Sequence, residues 1–308
     1  MGYVRCISEH GVYVKSGGGD IVILCLYVDD LLVTGNNETK KKYVSDVLKR
    51  FNMQHCNGAA TPAEAGLWLD KNVDEPEVDA TEFRQVVGAL RYLCNTRPDI
   101  AFSVGLISRV MDRPRTSHLA AAKRILRYVK DTMAYGILLP SKCRENEKGL
   151  YGFTDADWGG DKTDRKSTAG SVFLLGSGPI SWSSKKESVV ALSSCEAEYI
   201  AASMGGCQAI WLDNLMQELM IKKESVVELF VDNKSAISLA KHPVAHGRSK
   251  HIETRYHFLR DQVTKGRLKL SYCRTDMQVA DIFTKAVKRE TFKKLRNILN
   301  VVDCNEFV

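Results

Sequence analysis

Four acidic residues in the second half of the chain have the types and surroundings for metal chemistry: Asp155, Glu198, Asp232 and Asp281. Each sits in its own short block: Phe-Thr-Asp-Ala-Asp, Ser-Ser-Cys-Glu-Ala-Glu-Tyr, Leu-Phe-Val-Asp-Asn and Gln-Val-Ala-Asp-Ile-Phe-Thr-Lys. Four carboxylates brought together repel one another unless a cation neutralises them. A purely oxygen donor set suits Mg²⁺ or Mn²⁺ rather than zinc. Two such ions about 4 Å apart can clamp an in-line phosphodiester displacement, so the chemistry indicated is that of a metal-dependent nuclease. Glu196 and Asp157 lie in the same blocks and compete for the same roles.

The elements that must position these residues follow from the apolar spacing. Leu150 to Thr154, Ala169 to Leu175 and Ile180 to Ser183 read as a three-stranded antiparallel meander, with Asp155 ending its first strand. Ser194 to Met220 reads as a long helix with Ala197, Ala201, Met204, Trp211, Leu215 and Leu219 on one face, and Glu198 near its start. Val226 to Val231 is a strand ending at Asp232, and Ser235 to Lys241 a short helix. His251 to Thr264 is a basic helix, Arg267 to Cys273 a strand, and Val279 to Ala286 a helix that Asp281 begins. If the strands before Asp155 and Asp232 are neighbours, both carboxylates emerge at the same sheet edge. Upstream, residues 11–34 read as a hairpin closed by Ser16-Gly17-Gly18-Gly19-Asp20, with Asp29 and Asp30 following an apolar strand, and Lys40 to Phe51 as a helix. Glu82 to Tyr135 reads as two or three helices, with Asp99 placed to cap one of them. The polar span Pro140 to Lys148 is the main linker.

The bulk properties narrow the setting. The 308 residues suffice for about two cores, and 44% hydrophobic with 26% charged residues is ordinary for a globular protein. The net charge of +7 is concentrated: Lys241 to Lys269 holds eight Lys or Arg against two acidic residues, between two of the acidic blocks, which favours a polyanion partner. Nine scattered cysteines without a Cys-x-x-Cys pair indicate neither a zinc site nor a disulfide framework, and fit a reducing compartment. The N-terminus lacks a signal-peptide core and no run is long enough to span a membrane, so the expectation is an intracellular protein, cytoplasmic or nuclear, and not secreted.

The second half resembles the ribonuclease H domain of copia-type retrotransposon Pol polyproteins. The matching blocks are Phe-Thr-Asp-Ala-Asp-Trp-Gly-Gly-Asp at 153–161, Arg-Lys-Ser-Thr-Ala-Gly at 165–170, Ile-Ser-Trp-Ser-Ser-Lys-Lys at 180–186 and Leu-Ser-Ser-Cys-Glu-Ala-Glu-Tyr-Ile-Ala at 192–201. Val-Asp-Asn-Lys-Ser-Ala-Ile at 231–237, Lys-His-Ile-Glu at 250–253 and Ala-Asp-Ile-Phe-Thr-Lys at 280–285 follow in order. The resemblance implies an α/β fold with a mixed five-stranded sheet and flanking helices, and makes Asp155, Glu198, Asp232 and Asp281 the catalytic metal ligands for two ions of Mg²⁺ or Mn²⁺. It favours Glu198 over Glu196 because the family glutamate precedes an aromatic or aliphatic residue and then small apolar ones, as in Glu198-Tyr199-Ile200-Ala201. Glu196 is then a solvated acid at the helix start, and Asp157 an outer or capping residue. Cellular and retroviral relatives carry a His on the loop before the last Asp; here Cys273 to Gln278 has none, and His251 and His257 read as packed or substrate-facing residues of the basic helix.

The first half resembles the reverse transcriptase of the same polyprotein, through Tyr27-Val28-Asp29-Asp30 in its hairpin and Leu93-Cys94-Asn95-Thr96-Arg97-Pro98-Asp99-Ile100 downstream. That palm needs a third Asp from an earlier strand, and a further stretch is missing near Glu38 to Lys42, where hairpin and helix abut. Asp29 and Asp30 are therefore read as a polymerase relic, and DNA synthesis is expected to be absent. The expected organisation is a truncated palm at 1–60, a helical thumb- or connection-like region at 61–140, the ribonuclease H domain at 148–290, and a C-terminal helix and tail at 291–308.

The resemblance implies an enzyme that hydrolyses the RNA strand of RNA–DNA hybrids, with other products of the polyprotein as further partners and no membrane or small-molecule cofactor. Candidate nucleic-acid contacts are Ser194, Asn233, Lys250, His251 and Arg255. Arg113, Arg115, Lys123, Arg124, Arg127 and Lys130 either line nucleic acid or are solvent-facing charges on amphipathic helices. The alternative is a non-catalytic retroelement relic. An integrase-type transesterase shares the fold class, but a helix-borne glutamate followed by two further Asp blocks favours ribonuclease H.

Overall fold

The computed structural model describes residues 4–10, 12–17, 20–27, 30–31, 38–139, 149–221, 226–242 and 254–307. The first of these form an antiparallel sheet of β1 (Val4–Arg5), β2 (Val12–Gly17), β3 (Asp20–Tyr27) and β4 (Asp30–Leu31), in that order. The expected hairpin corresponds to β2 through β4. Asp29 lies outside the described residues, while Asp30 pairs with Tyr27 across the last turn. The segment behind β1 docks on the far end of the long helix described below: Ile7 N and Ser8 N donate to the Glu218 carboxylate at 2.6 and 3.0 Å, and Trp211 Nε1 donates to Ser8 O at 3.0 Å.

The helical region follows as α1 (Glu38–Arg50), α2 (Ala80–Leu93), α3 (Ala101–Ser108) and α4 (Thr116–Asp131), then the short β5 (Tyr135–Ile137). α2 forms where Phe83, Val86, Val87, Leu90 and Leu93 repeat with helical spacing, and all five are buried. Asp79 starts it by accepting from Thr81 N at 2.7 Å and Glu82 N at 3.3 Å. Asp99 does not cap α3. It sits in a 3₁₀ turn, Pro98–Ile100, as the fully buried partner of Arg97, because two guanidinium bonds at 2.7 and 2.9 Å outweigh what one helix end offers.

Beyond the linker come β6 (Leu150–Asp157), β7 (Thr168–Leu175), β8 (Gly178–Lys186), α5 (Ser194–Glu218), β9 (Val227–Val231), α6 (Lys234–Lys241), α7 (Phe258–Thr264), β10 (Leu268–Tyr272), α8 (Arg289–Ile298) and β11 (Val301–Asp303). Five strands make one mixed sheet in the order β10-β9-β6-β7-β8. β6, β7 and β8 are the antiparallel meander, and β9 and β10 join in parallel through helical crossovers. Asp155 does not end its strand: β6 runs on to Asp157, which pairs with Thr168. The basic helix is shorter than its charge pattern suggests, opening as a 3₁₀ turn at Thr254–His257 and becoming α-helical at Phe258.

Both sheet faces are covered. Phe173 joins α5, α6, α7, β9 and β10 in one core, while its neighbours Val172 and Leu174 join the helical region in the other. Strand alternation explains the split, and burial on both faces explains why seven of the eight β7 residues are buried. The second core runs across the linker, taking in α1 to α4, the 279–283 segment and α8. Polar bonds reinforce it: Trp182 Nε1 donates to Cys94 O at 2.9 Å, and Arg109 Nη2 to Thr168 Oγ1 at 2.9 Å. The last residues are more than a tail, since β11 pairs antiparallel with β5. No helix among the described residues is long and apolar enough to cross a membrane.

Candidate metal centre

Parallel pairing of β6 with β9, in the register Phe153 to Phe230, carries Asp155 and Asp232 to the same end of the sheet. α5 brings Glu198 over them. Its approach is close because Gly205 has no side chain: a Cβ there would stand 2.3 Å from Thr154 Cγ2. One carboxylate oxygen each from Asp155, Glu198 and Asp232 lies within 4.8 Å of the other two.

Asp281 arrives differently. The α-helix expected over Val279 to Ala286 is a 3₁₀ turn, Val279–Phe283. Gln278 imposes that geometry, donating through Nε2 to Thr154 O at 2.8 Å and accepting from Ala280 N at 3.2 Å. Gly170 lets the turn settle on β7, because a Cβ there would lie 2.6 Å from Thr284 Cγ2 and 2.9 Å from Phe283 Cβ. Asp281 ends beside Asp155 but outside the group of three. Lys285 Nζ pairs with Asp281 Oδ1 at 2.8 Å and stands 3.6 Å from Asp155 Oδ2. The Thr284 hydroxyl donates to Asp155 Oδ2.

The electrostatics are those of crowded acid. Burial, then Asp155 and Asp232, push the Glu198 carboxyl up to about 10. Burial and then Asp155 push Asp281 up to about 7. Asp232 is also raised, by burial and then Asp155, although Thr275 hydrogen-bonds it. Burial alone would lower the Lys285 ammonium, but Asp155 and Asp281 hold it well above its ordinary range. Glu198 Oε2 is buried with no hydrogen-bond partner. A buried carboxylate oxygen left in that state is costly unless a cation or donor reaches it. An oxygen-only trio with one orphaned lone-pair site fits a hard divalent ion.

Neither rival acid joins the trio. Glu196 is buried rather than solvated, because its carboxylate turns back to accept from Leu192 N at 2.9 Å while Ser193 Oγ accepts from Glu196 N. Asp157 lies outside the trio and lines an adjacent cleft of about 210 Å³ with Trp68, Arg109, Asp161, Lys162 and Lys285. Asn233 uses its side-chain oxygen to cap α6 through Ala236 N at 3.0 Å, and Ser194 is exposed at the start of α5. Lys250 and His251 lie outside the described residues, as does the Arg255 side chain. His257 packs on Tyr199, with its Nδ1 3.1 Å from the hydroxyl.

Five of the six cations read as either lining nucleic acid or facing solvent are engaged by the loop before α2. Arg113 and Arg115 face Glu77, Arg124 bonds Glu64, Arg127 donates to Asn57 O and Gly58 O, and Lys130 to Cys56 O. Sequence reasoning passed over Gln278, Thr284 and Lys285. The only local signal was a lysine four residues after Asp281 in a motif already singled out.

The strand order defines an α/β domain with a mixed five-stranded sheet and flanking helices, its carboxylates gathered from β6, α5 and the residue after β9. No protein-family model matches the chain. It is 35% identical, over 340 aligned positions and 98% of its length, to the Retrovirus-related Pol polyprotein from transposon RE1 of Arabidopsis thaliana. It is 33% identical, over 97% of its length, to that from transposon TNT 1-94 of Nicotiana tabacum. The chain spans about a quarter of the length of these relatives, 23% and 26% respectively. The putative transposon Ty5-1 protein YCL074W of Saccharomyces cerevisiae is 31% identical over 66% of this chain and 79% of its own length. The foamy viral protease-reverse transcriptase in complex with double-stranded DNA aligns at 16% identity and a TM-score of 0.30, over 66% of this chain and 36% of that one, too loosely to bear on the fold. The chain belongs to the copia-type retrotransposon Pol polyproteins.

Proposed function

We propose that the chain is a divalent-metal-dependent endonuclease that hydrolyses the RNA strand of RNA–DNA hybrids. The observation that carries this reading is the trio of Asp155, Glu198 and Asp232 within 4.8 Å, with Glu198 Oε2 buried and unpartnered. These three carboxylates would hold the ion, with Asp281 at its flank. When bound, Mg²⁺ or Mn²⁺ supplies Lewis-acid charge at a scissile phosphate. Thr284 fixes the rotamer of Asp155, Thr275 that of Asp232, and α5 fixes Glu198, so the donor set is held before substrate arrives. The hybrid would be recognised by shape and 2′-hydroxyl contacts, with Ser194, Asn233, Lys250, His251 and Arg255 as proposed contacts.

The decisive experiment follows a labelled RNA strand in a hybrid with Mg²⁺ or Mn²⁺. Cleavage is expected from the unaltered chain and about 10²–10³-fold less from Asp155→Asn, the scale of losing one essential charge-stabilising group. Absence of cleavage with either ion would establish a non-catalytic relic instead.

A further inference from the structure

Lys285 is the one feature of the centre that a simple carboxylate metal site does not require. Its ammonium stands between the first and last carboxylates, 3.6 Å from Asp155 Oδ2 and 2.8 Å from Asp281 Oδ1. The main chain holds it there: Lys285 N donates to Asp281 O at 3.2 Å, and the preceding Thr284 is tied to Asp155 through its hydroxyl. Asp281 is the carboxylate left out of the trio, and it is the one the lysine takes. We propose that Lys285 is a built-in cation holding the place between Asp155 and Asp281, so that divalent ions bind the four carboxylates in two unequal steps, the second of which must move the lysine out. This rests on the reading of the trio as a divalent-metal site.

Charge and space both support the inference. One divalent ion and the ammonium together set three positive charges against four carboxylates. A second ion with the lysine still in place would make five against four, in a buried setting where like charges cannot share one gap. The lysine has somewhere to go. Its side chain is 40% exposed and lines the adjacent cleft, where Asp157 offers a carboxylate that already feels its charge. The neighbouring Asp161 is held by Lys186 and lies 3.8 Å from Arg109, which leaves Asp157 as the receiving acid. A flexible four-carbon stem carrying a compact charge suits this exchange better than a planar guanidinium.

The test is calorimetric titration of the full chain with Mn²⁺, in which binding is read without any turnover. The unaltered chain is expected to show one tight step and one weaker by roughly tenfold or more, the scale on which one neighbouring charge shifts a carboxylate. Lys285→Met is expected to tighten the second step by that factor and leave the first nearly unchanged, while Lys285→Arg keeps it weak. Metal-free Lys285→Met is expected to melt below the unaltered chain and to recover when saturated with Mn²⁺. Two ions bound equally tightly by the unaltered chain overturn the proposal whether or not the variant folds. A second step that Lys285→Met leaves unchanged also overturns it, without touching the metal reading. Failure to bind Mn²⁺ at all overturns both.

Discussion

Two clusters of buried ionisable side chains are built on opposite plans. Around Asp99 every acceptor is met: Arg97 donates to both oxygens at 2.9 and 2.7 Å, Tyr128 adds a bond at 2.6 Å, and Arg97 also reaches the Thr132 carbonyl and hydroxyl. Arg296 approaches from α8, donating to the Tyr128 hydroxyl at 3.3 Å. Burial pulls the Asp99 acid upward, yet Arg97 and Tyr128 hold it below its ordinary range. Around Asp155 the reverse holds, with four carboxylates, one lysine, an orphaned oxygen on Glu198, and acids pushed up. Buried charge met by an opposite charge is architecture, here tying the 3₁₀ turn, α4 and α8 into one core. Buried charge left unmatched is a candidate place for a ligand where several carboxylates converge on it.

The strongest way to break that comparison is Arg97→Met. It leaves Asp99 buried without its counter-ion, and should cost about 3–5 kcal/mol. That is a large share of the total for a typical domain, so urea unfolding should register it plainly. Mn²⁺ affinity of the molecules still folded should not change. A cost below about 1 kcal/mol would mean that the Asp99 cluster is no more structural than the carboxylate centre.

Next in size is the response to pH, where the clusters have opposite signs. Asp99 has a folded pKa below its unfolded value, so its stabilisation is present above the ordinary carboxylate range and fades as pH falls. Asp281 and Glu198 have folded pKa values raised to about 7 and about 10. Their contribution is complete below the ordinary carboxylate range and is lost as pH rises through those values. In a chelating buffer the melting temperature should therefore fall as pH is raised from about 5, by about 2–4 °C for each kcal/mol lost in a chain of this size. Saturating Mn²⁺ should flatten that slope, and Asp281→Asn should remove the part near neutrality. A metal-free melting temperature that climbs between about pH 5 and 9 would contradict the charge pattern of the centre.

These contrasts also show what the sequence could convey. β6, α5 and β9 were legible because each is a local apolar pattern with its carboxylate at a fixed offset, and a two-residue or 3.6-residue period survives in any context. The turn carrying Asp281 was not, since Val279, Ile282 and Phe283 are equally consistent with an α-helix. Its 3₁₀ geometry depends on Gln278 reaching Thr154, 124 positions away. Arg127 and Lys130 looked free for a nucleic acid because their partners, Asn57 and Cys56, lie 70 and 74 positions upstream. β5 and β11 are three residues each, too short for either to announce itself without the other. Lys285 was visible as a residue but not as a neighbour of Asp155, because spacing does not say where a long side chain points.

The smallest effect sharpens the comparison most. Glu187, the residue directly after β8, is only 2% exposed. Burial, and then Glu196, push its acid up to about 8. It resembles the carboxylate centre in being buried beside another acid, and differs in lying outside the trio that gathers around Asp155. Glu187→Gln should leave stability unchanged near pH 5, where the folded-state acid is neutral and the amide is nearly isosteric. Near pH 9 it should stabilise by on the order of 1 kcal/mol, because the amide never has to ionise but must still satisfy its own hydrogen bonds. That gain should persist in saturating Mn²⁺, whereas the slope from Asp281 and Glu198 should not. If Mn²⁺ cancelled both alike, the ion would be acting on buried carboxylates in general, and the trio would lose its claim to be a site.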